Sequence, residues 1–431
     1  MKHSVSPPNS IKGELIAPSD KSISHRSAIF NAISEGISYI QNYSDGDDCI
    51  STLKLLQKLG ININVLDENE SGLSLKIEGI GKELFSNTNL ELDSGNSGTT
   101  MRLMSGVLSS RSQAYVLTGD NSLCSRPMNR VIKPLNLMGA SINANNGYPP
   151  LNFPSERQII NGIQYSMPIS SAQVKSAIIL SGLDALGNTT ITQPSLSRDH
   201  TERMLISMGA NIKSRNNIID IQPSSLSSID LNIPGDISSA SYWIIAALIH
   251  KNASLLIKNV GVNPTRIGIL NVLKRMNGNF SLINKRIIGN EPVADISVFS
   301  SKLKGTIIQG NEIPLLIDEI PIICIAASLA EGETLVKDAS ELRVKESDRL
   351  KSISNVLTKL KVKHSNNEDG ILIYGSNKLV GGDHETFGDH RIAMSIGIAG
   401  LVAENTVNIN GSEVASVSYK NFWSDLNKIS E

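Results

Sequence analysis

Only three cysteines, Cys49, Cys124 and Cys324, occur in 431 residues, widely spaced and odd in number. That excludes a disulfide framework and the paired spacing of a zinc knuckle, and it suits a reducing cytoplasm. Neither sign of charge is in surplus: 40 Lys and Arg stand against 41 Asp and Glu, a formal net charge of −1. A chain so balanced has no basic excess for gripping a phosphate backbone, so no nucleic-acid partner is expected. Long unbroken apolar runs are missing too. The N-terminal MKHSVSPPNSIKGEL has no hydrophobic signal core, and the most apolar window, IPLLIDEIPIICIAASLA, is interrupted by Asp318 and Glu319, so no membrane association is expected.

What is present fits a soluble globular protein, with 40% hydrophobic and 19% charged residues in a chain too long for one ordinary core. A loose template recurs along it: a polar or Gly-containing turn, a helix rich in Ala, Ile, Leu and Ser, then a short strand. Copies begin at Ser19, Asp93, Pro168, Pro234, Leu316 and Phe387. Their spacing is too wide for a solenoid and suits supersecondary units of several strands and helices. Helical stretches such as AIILSGL and YWIIAALI are apolar on most of their surface, which predicts buried helices. ASLLIKNV, NTTITQ and ILIYG read as short strands. The expected class is α/β (α+β), six units in two domains of three. The fourth copy opens at Pro234-Gly235-Asp236, where the main crossover is expected, with a second near Ala17-Pro18. The expected domains are therefore residues 1–17 plus 236–431, and residues 18–235.

Nearly every unusual polar cluster falls at one of these helix starts, where unpaired N–H groups and the positive dipole end attract anions. In PSDKSISHR, Ser19 or Asp20 can cap the helix, leaving Lys21 in the first turn against the dipole. Ser22 and Arg26, four apart, share a face and suit a carboxylate, although an exposed basic turn is the plain alternative. DSGNSGTTMR sets Asn96 and Ser97 between Gly95 and Gly98, permitting close backbone approach to a ligand, but it has no P-loop ending. Arg126 and Arg198 are single arginines after turns. In ELRVKESDRL, read as helix, Glu341 lies four before Lys345 and Lys345 four before Arg349; two stacked cations call for a polyanion, with Glu346 beside them as a candidate proton donor. A solvated charged helix is the alternative there. Asp318, among apolar neighbours, suits a general base or a helix cap. His384, Asp389, His390 and Arg391 gather in GGDHETFGDHR, but the histidine spacing fits no usual zinc set, and no metal is expected.

Together, PSDKSISHR, SGNSGTTMR, SAQVKSA, LIDEIP, RVKESDRL and DHRIAMS stand in the order and spacing of the 5-enolpyruvylshikimate-3-phosphate synthases, and the chain resembles that family over nearly its whole length. The resemblance implies an enolpyruvyl transferase fold of two domains that close over substrate, each of three βαβαββ units with pseudo-threefold symmetry. It also implies transfer of the enolpyruvyl group of phosphoenolpyruvate to the 5-hydroxyl of shikimate 3-phosphate, through a tetrahedral adduct that expels phosphate. By the same resemblance, Lys21, Ser22, Arg26, Ser171, Gln173, Arg198, Asp318 and Lys345 would hold shikimate 3-phosphate. Lys21, Asn96, Gly98, Arg126, Gln173, Arg349 and Arg391 would hold phosphoenolpyruvate. Asp318 would take the hydroxyl proton and Glu346 would protonate the methylene carbon, with Lys21 and Lys345 reaching both substrates. No cofactor is implied, and a cytoplasmic monomer is expected.

The chain departs from many relatives in two places: Leu103 and Met104 follow Arg102 where others carry proline, and SSAQ stands for SSQ. Val417 occupies the place of a phosphoenolpyruvate-contacting lysine in some relatives, with Lys420 nearby. The nearest alternative is the enolpyruvyl transferase acting on UDP-N-acetylglucosamine, whose loop cysteine lies several residues before its arginine; Cys124, just before Arg126, does not match it. A catalytically dead anion-binding scaffold is the alternative from another class, and Asp318, Lys345 and Glu346 argue against it.

Overall fold

The structure, a computed structural model, describes residues 1–69, 72–81, 85, 87, 89–156 and 158–430. Its contacts divide the chain into a terminal unit, Met1–Pro18, Pro234–Ile287 and Pro292–Glu431, and a middle unit, Ser19–Ile233 and Ile288–Glu291.

One pattern builds most of both units. In the middle unit, strands Gln164–Ser166 and Thr189–Thr192 pair in parallel and are joined through the helix Ala172–Gly182. The helix His200–Ser207 follows, and then the antiparallel strands Ile212–Arg215 and Ile218–Ile221 complete the sheet. This is the βαβαββ unit expected from the sequence. It recurs around the helix Gly98–Leu108 in the middle unit and the helix Ile320–Ser328 in the terminal unit. The parallel pairs need a crossover, and the apolar helices supply it while burying themselves.

Two sheets are completed by a strand exchanged along the chain. Ile11–Ile16 pairs in parallel with Ala253–Gly261 in the terminal unit, yet the next helix in sequence, Lys21–Ala32, belongs to the middle unit. Conversely, Leu231–Asn232 pairs with Glu35–Tyr43 in the middle unit before the chain enters the Ile237–Ile249 helix of the terminal unit. The departing and returning chain meet where Asp236 N donates to Pro18 O at 2.8 Å. The sixth sheet has three strands, Lys2–Val5, Val407–Asn410 and Gly382–Glu385.

Each unit has its own apolar core. Every residue of the His390–Gly400 helix is buried, as are Ile237 through Leu248 of the Ile237–Ile249 helix. In the terminal unit Trp243 stacks on Phe422 with centroids 5.0 Å apart, and its Nε1 donates to Tyr419 Oη at 3.0 Å. In the middle unit Gly106 lets the Gly98–Leu108 and Ala172–Gly182 helices approach, because a Cβ there would strike the Ala177 backbone. Among the described residues no helix is long and apolar enough to cross a membrane.

Candidate active site

Three helix starts in the middle unit are tied together by their own polar side chains. Asp20 caps the Lys21–Ala32 helix, accepting from Ile23 N at 2.9 Å, so Lys21 is its first residue. A cation there opposes the dipole. Asp48, in the first turn of the Asp47–Lys58 helix, compensates by pairing with the Lys21 ammonium. Arg26 is buried: its Nε donates to Thr201 Oγ1 at 2.7 Å, Nη1 to Ser22 O at 2.8 Å and Nη2 to Ser176 Oγ at 3.0 Å. These three acceptors are neutral oxygens, the one at Ser22 being its backbone carbonyl.

The Gly98–Leu108 helix is capped by Ser97 and meets the Ala172–Gly182 helix through Gln173. Arg102 Nη1 donates to Gln173 Oε1 at 2.6 Å, and Gln173 Nε2 donates to Thr99 Oγ1 at 2.8 Å. Ser171 caps its own helix, with Val174 N 3.4 Å from its hydroxyl. Asn96 sits between Asp120, to which it donates at 2.6 Å, and Arg126, from which it accepts at 2.8 Å. Beside Arg198, the buried Lys175 pairs with Glu202 at 2.7 Å and donates to Ser197 O at 3.3 Å, fixing the backbone next to that arginine.

His25 joins the remaining pair of helix starts. Its Nδ1 lies 2.7 Å from Thr52 Oγ1, which is 2.6 Å from Thr100 Oγ1, which in turn donates to Ser97 Oγ at 2.7 Å. Burial pulls the His25 pKa down to about 3, with Asp48 opposing in part and Lys21 and Arg26 adding to the fall. The folded value lies below the unfolded one of about 6.5, so the unfolded chain binds the extra proton between these limits and stability falls as pH drops through that window. Urea titrations followed by circular dichroism should show this residue removing about 2 kcal/mol of middle-unit stability between pH 7 and pH 5. His25→Gln should flatten that dependence, and an unaltered slope would refute the assignment.

The terminal unit has a second cluster, centred on Arg349. This guanidinium is almost fully buried and touches three carboxylates: Nε donates to Asp389 Oδ2 at 2.9 Å, Nη1 to Asp318 Oδ1 at 3.1 Å and Nη2 to Glu346 Oε2 at 2.6 Å. Burial alone would lower its pKa, but Asp389, Glu346 and Asp318 hold it well above the ordinary value. Lys345 Nζ is 3.8 Å from the same Asp318 oxygen. Asp389 is pushed up by burial and pulled down further by Arg349, ending below the usual aspartate range. It also caps the His390–Gly400 helix through Arg391 N at 2.9 Å and accepts from Ser347 Oγ at 3.0 Å.

The helix reading of ELRVKESDRL is corrected here. Ser340–Val344 is a 3-10 turn, Lys345 is extended, and the helix begins only at Arg349, capped by Asp348. The cap satisfies Lys351 N at 3.0 Å and separates the two cations from any common helix face. They converge through Asp318, which comes from the 3-10 turn Ile317–Glu319 and caps no helix. Behind it, buried Glu319 accepts from Ser238 Oγ at the start of the Ile237–Ile249 helix, and Arg266 Nη2 donates to Asp236 Oδ1 and Ser238 Oγ at 2.8 Å each.

Arg391 is buried, with Nε unpartnered; burial lowers its pKa, but Tyr242, Asp318 and Glu319 more than offset this and raise it. Lys420 is exposed on the surface. His384 is a buried strand residue, and among the described residues no group of three His, Cys, Asp or Glu is placed to hold a metal.

Within the middle unit, then, the structure links Arg26, Gln173 and Asn96 into cross-helix networks; within the terminal unit it gathers Asp318, Lys345, Glu346 and Arg349. Sequence reading passed over Asp48, Arg102 and Asp389 as parts of these clusters. Arg102 was visible in GTTMR, and Asp389 directly precedes Arg391; Asp48 carried no signal beyond an acidic first turn.

A chain with helix starts of this kind in repeated βαβαββ units has the architecture of an enolpyruvyl transferase. It matches a solved EPSP synthase from Acinetobacter baumannii with a TM-score of 0.88 at 40% identity, covering 100% of this chain and 98% of that one. It is 46% identical over 434 residues to a 3-phosphoshikimate 1-carboxyvinyltransferase of Petrotoga mobilis, covering 100% of this chain and 99% of the relative. A relative of the same name from Thermoanaerobacter sp. (strain X514) is 46% identical over 415 residues, 96% of each chain. With the model of the EPSP synthase (3-phosphoshikimate 1-carboxyvinyltransferase) family matching residues 5–426, the chain belongs to that family.

Proposed function

We propose that the chain transfers the enolpyruvyl group of phosphoenolpyruvate to the 5-hydroxyl of shikimate 3-phosphate, releasing phosphate, and that it does so as a cytoplasmic monomer. The observation that carries the reading is the grouping of Asp318, Lys345, Glu346 and Arg349, two carboxylates suited to proton transfer beside two cations suited to an anionic substrate.

In the addition step the 5-hydroxyl oxygen bonds to C2 of phosphoenolpyruvate as Asp318 takes its proton, while the electron pair of the C2–C3 double bond accepts a proton at C3 from Glu346. In the elimination step C3 loses a proton to solvent, the C3–H electron pair restores the double bond as the C2–O bond to phosphate breaks, and Asp318 gives its proton to the departing phosphate. Arg349, Arg391, Lys21, Arg126, Gln173, Asn96 and Gly98 serve phosphoenolpyruvate; Lys21, Ser22, Arg26, Ser171, Gln173, Arg198, Asp318 and Lys345 serve shikimate 3-phosphate. The interlaced helix starts support these roles, since donors held by neighbours need little reorganisation as charge develops. The two domains of this reading are residues 1–17 plus 236–431, and 18–235.

Phosphate release should be measured with phosphoenolpyruvate and each of two acceptors, shikimate 3-phosphate and UDP-N-acetylglucosamine. Turnover is expected with the first; turnover only with the second would overturn the reading.

A further inference from the structure

We infer that phosphoenolpyruvate prepares its own proton donor, by taking the place of Glu346 on the Arg349 guanidinium. The inference rests on the function proposed above and concerns the order of events at one side chain.

Arg349 meets an acidic oxygen through Nε, Nη1 and Nη2 alike. With Nη2 also 3.5 Å from Asp389 Oδ1, these bonds engage four of the five guanidinium N–H groups, so an anionic substrate that pairs with this arginine through two of them competes with one of the three acids. They are not equally replaceable. Asp389 is fully buried at 0% side-chain exposure, and its oxygens also hold Arg391 N and Ser347 Oγ. Asp318 is 16% exposed and lies within reach of Lys345 as well. Glu346 is 27% exposed, the most open of the three. Its neighbour Lys345 is extended, in the segment between the 3-10 turn and the helix, so this carboxylate is not anchored on a helix.

While Glu346 holds the guanidinium, the adjacent positive charge favours its ionised form, which is useless as an acid. When the substrate anion takes over Nη2, that stabilisation passes to the substrate, and Glu346 can take a proton from solvent. The proton then goes to C3 as the C2–O bond forms, leaving Glu346 ionised again and able to return to Arg349 as product departs. The acid is thereby charged only beside a bound substrate, which guards against an idle protonated carboxyl in the empty site.

The distinguishing consequence is a pair of effects with opposite signs. Removing the competing carboxylate should tighten binding while it stops turnover. Equilibrium dialysis with radiolabelled phosphoenolpyruvate alone, without acceptor, should show about fivefold tighter binding by Glu346→Gln than by the unaltered protein. Glu346→Ala should behave alike, which covers the case of the glutamine amide still bonding Arg349. Phosphate release by both variants should be nearly lost. Equal or weaker phosphoenolpyruvate binding by both variants, in a protein whose unaltered form releases phosphate with shikimate 3-phosphate, would overturn the exchange and leave the proposed function standing. Absence of phosphoenolpyruvate binding by all three forms would overturn the exchange, and absence of phosphate release by the unaltered protein as well would overturn both.

Discussion

Replacing Arg349 with methionine is expected to destabilise the terminal unit by about 3–5 kcal/mol and to abolish turnover. The guanidinium is buried, and Asp389 is completely buried against it. Methionine fills a comparable space but leaves that carboxylate uncompensated, and an orphaned buried charge costs more than the ion pair contributed. Both tryptophans, Trp243 and Trp423, lie in the terminal unit, so their fluorescence in urea reports this unit selectively. Adding Asp389→Asn to Arg349→Met should restore part of the stability and none of the activity. A single variant as stable as the parent would show that the cluster contributes nothing to folding. The same pair has a pH signature: because the folded aspartate pKa is depressed, its contribution is present above the unfolded value of about 3.9 and is lost as pH falls further.

Asp318→Asn should act in the opposite proportion, lowering kcat by about 10²–10⁴-fold with little change in stability. The amide keeps the shape of the carboxylate, and Arg349 retains Asp389 and Glu346 as partners, so no buried charge is stranded. What disappears is the base that would receive the hydroxyl proton. Steady-state phosphate release at saturating substrates checks the point, and a fall of less than about tenfold would remove Asp318 from that role.

How far such a centre could be read from the sequence depended on the range of the interactions. Helices AIILSGL and YWIIAALI announced themselves because an all-round apolar surface has one stable location, and the cap was legible to within two residues, Ser19 or Asp20, because capping is settled within three residues; Asp20 proves to fill it. ELRVKESDRL was misread for the complementary reason. Spacing suggested a like-charge stack on a helix, but Asp318 and Asp389 lie far off in sequence, and only folding brings them to the cations. Lys21 shows both sides: its conflict with the dipole was a correct local signal of something unusual, while the identity of its partner, Asp48, needed the tertiary structure.

The exchanged strands also govern the order in which the chain can fold as it leaves the ribosome. Residues 19–233 carry every strand of the three middle-unit sheets, so those sheets can close while synthesis continues. Two strands that precede them have no such freedom: Ile11–Ile16 waits for Ala253–Gly261, and Lys2–Val5 waits for Val407–Asn410. Lys2–Val5 and Ile11–Ile16 are thus among the last of these strands to find a permanent place, and loss of Val407–Asn410 should leave the Lys2–Val5 edge open to unwanted pairing.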